Sequence, residues 1–170
     1  MNDIPDDMID WIKTISSDDK RPEIQRGIRA IQFVIKTRRD MPSAMSRKEI
    51  GIIGFRYGHH HAATKTRKRS GHGLAHVIGS ALENHRQDSE YPAPEEILRI
   101  IPGVIMDGEI KPAHSNRMVI EHKEHRVFLT KAGKHGTNWL FHAYKIYAKK
   151  AARLPSATPA VERPGDLQLA

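Results

Sequence analysis

The chain has 170 residues, 38% of them hydrophobic, no cysteine, and a formal net charge of +8 with histidine neutral. That length suits one compact domain with short extensions, and the missing cysteines exclude disulfides, thiolate metal sites and a cysteine nucleophile. No run of eighteen apolar residues offers a membrane span, and the positive balance calls for an anionic partner: nucleic acid, an anionic membrane surface or an acidic protein.

The first seven residues are acidic where an export signal is basic and then apolar, so a cytoplasmic protein is expected. Residues 5–16 read as a short helix with Met8, Trp11, Ile12 and Ile15 at helical spacing. Residues 22–39 read as a stronger one. Pro22 and Glu23 open it, Ile24, Ile28, Ile31 and Ile35 form one stripe, and Pro42 closes it. Neither helix carries residues suited to chemistry.

Residues 49–57 (EIGIIGFRY) read as a strand, followed by a polar loop over residues 58–71 with Lys65, Arg67, Lys68 and Arg69. Four cations in five positions suit the neutralisation of phosphates, and a plain solvated loop is the simpler reading. A helix is predicted over residues 73–86, with Leu74, Val77, Ile78, Ala81 and Leu82 as its apolar stripe. A short one starts at Pro94 and ends near Pro102. From there the period changes. Residues 104–110, 117–123, 126–131 and 139–147 are short, β-branched or aromatic stretches separated by turn signals, which predicts an antiparallel meander. Residues 153–170, with three prolines and almost no large apolar side chain, read as a disordered tail.

All 11 histidines lie between His59 and His142, and residues 111–150 hold nine Lys or Arg against two Asp or Glu. Titratable imidazoles and the cation surplus therefore share one half of the chain. His76 falls in the first turn of its helix, roughly 200° from Leu74 at about 100° per residue, so it points off the apolar stripe. A helix N-terminus disfavours positive charge, and a neutral ring can accept a proton. The glycines around His72 offer room for a substrate backbone. The plainer reading of His76 is a histidine on a solvated face. His142 and Tyr144, two apart on a strand, leave the same sheet face. Arg117 and Lys123 share a face six residues apart, as phosphate-binding or merely solvated cations. Consecutive histidines 59, 60 and 61 on a strand would alternate faces, so no metal site is expected there. No P-loop, dinucleotide fingerprint or nucleophile elbow is present, and no cofactor is expected.

The order of Ile50-Gly51-Ile52-Ile53-Gly54-Phe55, then Gly73-Leu74-Ala75-His76-Val77-Ile78, then Pro94-Glu95-Glu96-Ile97, Val104-Ile105-Met106-Asp107-Gly108 and Trp139-Leu140-Phe141-His142-Ala143-Tyr144 resembles the phage-associated nucleases of the barnase–EndoU–colicin–RelE group. The resemblance covers roughly residues 46–147. It implies an α+β fold, with N-terminal helices packed on a four-stranded antiparallel sheet. It implies metal-independent RNA cleavage, often as a toxin. His76 matches the family's helix histidine, Arg117 its basic residue in the central strand, and Tyr144 the aromatic closing the last motif. His142 stands where the family commonly has Thr or Ser.

The expected organisation is a helical extension over residues 1–45, the nuclease domain over 46–150 and a tail over 151–170. The expected activity is an endoribonuclease in which the 2′-hydroxyl attacks phosphorus and leaves a 2′,3′-cyclic phosphate. His76 is assigned as base, His142 as acid with Tyr144 as the alternative, and Arg117 and Lys123 as stabilisers of the phosphoryl charge. Lys65, Arg67, Lys68 and Arg69 would grip the backbone. RNA, tRNA among the choices, is the expected partner. A toxin would also need an immunity or antitoxin protein, which nothing in the residues identifies. The competing reading is a non-catalytic RNA- or DNA-binding protein of phage origin, using the same cations. A third is a domain that binds another protein through its neutral N-terminal part.

Overall fold

The computed structural model describes residues 15–112, 115–132 and 136–146. The expected helix over 5–16 falls almost wholly outside them, and the predicted tail wholly so. Chain order is helix α1 (Pro22–Thr37), β1 (Met41–Arg47), β2 (Gly51–Phe55), β3 (His59–His61), β4 (Ser70–His72), α2 (Gly73–Gln87), α3 (Pro94–Asp107), β5 (Glu109–Pro112), β6 (Arg117–His122), β7 (His125–Thr130) and β8 (Asn138–Lys145).

The class is α+β, as expected, but the sheet is not four-stranded and antiparallel. It is a six-stranded mixed sheet in the order β1-β2-β8-β7-β6-β5, with a separate two-stranded ribbon, β3-β4. The meander over β5 to β8 is antiparallel, whereas β2 and β8 run parallel. Three further strands come from segments with weak signals. β1 (MPSAMSR) lacks strand alternation, and the ribbon sits inside the loop predicted over residues 58–71.

The isoleucine stripe of α1 is buried as its spacing predicts. The third helix overruns its predicted end. Pro102 lies inside it, and Val104 and Ile105, read as the start of a strand, are buried on its last turn. Proline removes one backbone donor from a helix interior. Burial of two more aliphatic side chains, roughly 1.5–3 kcal/mol each, offsets that loss. Side chains from α1, α2, α3 and the sheet, including Ile31, Phe55, Leu74, Ile101, Val127 and Leu140, make one core.

One irregularity positions the site. β2 pairs with β8 only at Ile53–Asn138 and Gly54–Trp139. Beyond that the carbonyls of Arg56 and Tyr57 accept hydrogen bonds from the Leu74 and Ala75 amides of α2. The sheet thus splits, and the start of α2 packs against β8 where β2 has diverged. Gly73 (φ +78°) makes this junction: a Cβ there would stand 2.7 Å from the Arg56 carbonyl oxygen. The glycines flanking His72 therefore serve a backbone-to-backbone junction. The room they offer is taken up by the protein's own chain.

Candidate active site

The split brings His76 of α2 to His142 of β8, with ring centroids 4.3 Å apart and planes tilted by 36°. His76 is only 7% exposed, and its ring meets two further imidazoles, His60 and His142. On its other side Nδ1 is 2.9 Å from Nδ1 of His60, whose Nε2 is 2.5 Å from a carboxylate oxygen of Glu83. His60 itself is 3% exposed. The result is a buried file, Glu83–His60–His76, with His142 stacked at its front.

Hydrogen-bond chemistry orders the protons in this file. A carboxylate only accepts, so His60 donates to Glu83 from Nε2–H. The contact between the two Nδ1 atoms needs one proton between the rings, and the arrangement in which His76 supplies it from Nδ1–H is the one that leaves His76 able to act as a base. The lone pair of His76 is then left on Nε2, free to take a proton. Burial, helped by the neighbouring imidazole of His60 and by Arg69, pushes the His76 pKa down to about 3. Burial also holds His142 well below its ordinary value, reinforced by His76. At Glu83 burial acts upward, but the hydrogen bond from His60 and the Arg69 charge outweigh it and keep the carboxyl below its usual range.

Gly79 makes room for the file. A Cβ there would overlap the His60 ring, so only glycine lets that imidazole lie flat on α2. Helical spacing sets the rest, since His76, Ser80 and Glu83 follow one face of α2 at intervals of four and three.

Strand register supplies the neighbours of His142. Phe128 lies opposite it on β7, and two register pairs along Arg126 lies opposite Tyr144. The Arg126 guanidinium donates from Nη1 to the Tyr144 hydroxyl at 3.1 Å and from Nε to Glu121 at 2.6 Å. Lys111 closes the row on the other oxygen of Glu121 at 2.9 Å. Burial raises the Tyr144 pKa, partly countered by Arg126, so the phenol keeps its proton. The Tyr144 ring centroid is 5.3 Å from that of His142.

Of the residues singled out from sequence, His76, His142 and Tyr144 come together. Arg117 is on β6, two register pairs from the His142 row, with its guanidinium 3.6 Å from the centroid of the Phe141 ring. Lys123 does not share a strand face with it. It is an exposed residue at φ 55° in the β6–β7 turn, bordering a depression with Asp107, His122 and His125. The predicted strand ran one residue too far, which put Lys123 on a face it does not occupy. Lys65, Arg67 and Lys68 are exposed in the loop after β3, and Arg69 is tied to the Ser80 carbonyl and the Asn84 side chain of α2. His60, Glu83 and Arg126 went unrecognised. The seven-residue step from His76 to Glu83 was a legible signal. The pairing of Arg126 with Tyr144 was not, because it depends on register.

Two imidazoles held neutral by the fold make stability depend on acidity. Their folded pKa values lie below the unfolded value of about 6.5, so their contribution is intact above that pH and is lost as pH falls towards about 3 for His76. Each such ring costs about 1.4 kcal/mol per pH unit over the window. Thermal midpoints measured from pH 7 to 4 should fall steeply, and the fall should shrink in His142→Phe. A flat profile would contradict the neutral assignment.

Proton acceptors and donors set beside guanidinium groups are what a nuclease needs at a phosphodiester. The chain belongs to the family described as phage-Barnase-EndoU-ColicinE5/D-RelE like nuclease 1, whose sequence model matches residues 44–150. No curated protein and no solved structure matches it. No helix among the described residues is long and apolar enough to cross a membrane.

Proposed function

We propose that this protein is an endoribonuclease that breaks RNA by attack of the 2′-hydroxyl on the adjacent phosphorus, with side chains alone moving both protons. The observation that carries the reading is the Glu83–His60–His76 file ending beside His142 and Tyr144. Nε2 of His76 takes the 2′-hydroxyl proton as the 2′-oxygen bonds to phosphorus, and the arriving phosphate anion raises the basicity of the ring above that set by its burial in the free protein. The imidazolium forming on His76 keeps its Nδ1–H on His60, which in turn faces the Glu83 carboxylate. The bond from phosphorus to the 5′-oxygen breaks, and that oxygen leaves with a proton. The products are a 2′,3′-cyclic phosphate and a 5′-hydroxyl.

Two groups can supply the leaving-group proton, and their environments separate them. His142 is held neutral and has no acidic proton of suitable strength. Tyr144 is held protonated, and Arg126 donates to its oxygen, which leaves the phenolic hydrogen free and steadies the charge when it departs. Tyr144 is therefore the acid in this reading, and His142 packs between base and acid. Arg126 also faces the phosphoryl oxygens. Lys123, out on its turn, has no part.

The test is product chemistry. Wild-type protein with mixed RNA in EDTA should leave cyclic-phosphate ends, and Tyr144→Phe should slow cleavage by roughly 10²–10⁴-fold. Salt-sensitive binding with no cut ends would overturn the enzyme in favour of a binding module. The same reading extends to a phage or mobile-element toxin with an inhibitory partner. Its check is growth arrest on expression, relieved by the variant that cannot cut.

A further inference from the structure

Most arginines with bonds described in the structure meet an acidic group or a carbonyl. Arg21 holds Asp19 and Asp107, Arg47 holds Glu49, and Arg126 holds Glu121. Arg117 departs from this pattern. It is half-buried, its Nε is buried with no hydrogen-bond partner, and no carboxylate among the described residues pairs with it. Its guanidinium instead lies over the Phe141 ring at 3.6 Å. A desolvated cation without a counterion is costly to keep, and an arriving anion removes that cost.

The neighbourhood of Arg117 holds a second guanidinium–aromatic pair, in which the arginine, Arg56, also meets a carboxylate oxygen of Asp40 at 3.6 Å. Register sets Arg117 opposite Thr130 and Thr130 opposite Trp139. The Trp139 indole lies flat against Gly54, where a Cβ would come within 2.9 Å of it, and carries the Arg56 guanidinium 4.2 Å above its ring. The register shift between Phe128 and Leu129 leaves Phe141 as the extra residue beside His142, on the side of the sheet that Arg117 reaches. The two aromatic rings under these guanidinium groups thus both belong to β8, Phe141 next to His142 and Trp139 two register pairs from it.

We propose that Arg117 with Phe141, and Arg56 with Trp139, form a subsite for an unpaired nucleotide of single-stranded RNA, stacking its base and neutralising its phosphate beside the histidines. The inference rests on the ribonuclease reading and adds its substrate class. Bases stack on aromatic rings and on guanidinium planes whatever their identity, and only an unstacked base presents such a face. Duplex RNA offers its phosphates but not its base faces, so it would meet Arg117 and leave the platform unused. The placement fits the chemistry as well, because in-line attack by a 2′-hydroxyl needs a nucleotide free to turn at the sugar.

The test is equilibrium binding of the full chain to an eight-nucleotide 2′-O-methyl RNA, which lacks the attacking hydroxyl, alone and annealed to its complement. The single strand should bind at least about tenfold more tightly than the duplex. Phe141→Leu keeps apolar bulk but loses the ring. It should weaken single-strand binding by about tenfold with the salt slope unchanged, at a thermal midpoint close to wild type. Arg117→Ala should lower the slope of log affinity against log salt by about 0.7, the mark of one phosphate contact on a single strand. Equal affinity for single strand and duplex, or undiminished binding by a folded Phe141→Leu, overturns the subsite. Selective binding of the single strand by a protein that leaves ordinary RNA uncut would refute the ribonuclease and leave the subsite standing.

Discussion

His76→Ala is expected to reduce RNA cleavage by roughly 10²–10⁴-fold, the span a positioned base supplies. The loss should fall on kcat, because the ring is nearly buried and its role is to move a proton rather than to hold the strand. Alanine leaves a ring-sized space and deprives His60 Nδ1 of its partner, 2.9 Å away in the native file. An unpaired buried nitrogen costs about 1–3 kcal/mol, so the variant should also melt earlier. That cost makes a second readout necessary. Free imidazole added to the variant should restore part of the rate by entering the vacated space, which a merely unfolded protein cannot show. Cleavage by His76→Ala within fivefold of wild type would remove the base from the mechanism.

Gly79→Ala is expected to act against helix propensity. In an ordinary helix interior, alanine for glycine stabilises by roughly 0.5–1 kcal/mol. Here the new methyl would overlap the His60 ring packed on α2. Either the ring moves off the helix or α2 shifts from its packing, and overpacking of this kind costs about 1–3 kcal/mol. If the ring moves, the bonds to Glu83 and His76 break together. The expected result is a lower thermal midpoint and a loss of activity of about tenfold or more, measured on the same preparation. A raised midpoint with full activity would mean that the close contact between Gly79 and His60 does not exist in solution.

The helices were legible because their signals are local. Ile24, Ile28, Ile31 and Ile35 mark a buried face whatever lies across from it, and all four are buried. The antiparallel meander was legible for the same reason, since neighbouring strands joined by short turns tend to pair. What could not be read was pairing at a distance. β1 has no alternation to announce it, and the parallel contact of β2 with β8 joins residues more than eighty positions apart. The last turn of α3 was misjudged because proline ends a helix by local rules, while here burial of Val104 and Ile105 carries it through to Asp107.

The site divided along the same line. His76, His142 and Tyr144 were visible as residue types suited to proton transfer at suggestive places, and the fold gathers them. The three consecutive histidines 59, 60 and 61 looked like one unit, yet only His60 enters the buried file. Alternation along β3 separates it from its two neighbours, which instead stack near His72 on the ribbon or against each other. Alternation along a strand sets the middle histidine apart from the other two, and the burial of that face is what the fold adds.

The position of β8 in the sheet bears on how such a protein is made. The strand carrying His142 and Tyr144 is the last described in the chain, yet it is inserted between β2 and β7 rather than added at an edge. A growing polypeptide on the ribosome therefore lacks His142 and Tyr144, and their place between β2 and β7, until the chain has emerged through Lys145. Contacts between distant segments also form slowly. Under the proposed ribonuclease reading, a chain assembled in this order is expected to acquire activity only once β8 has entered the sheet.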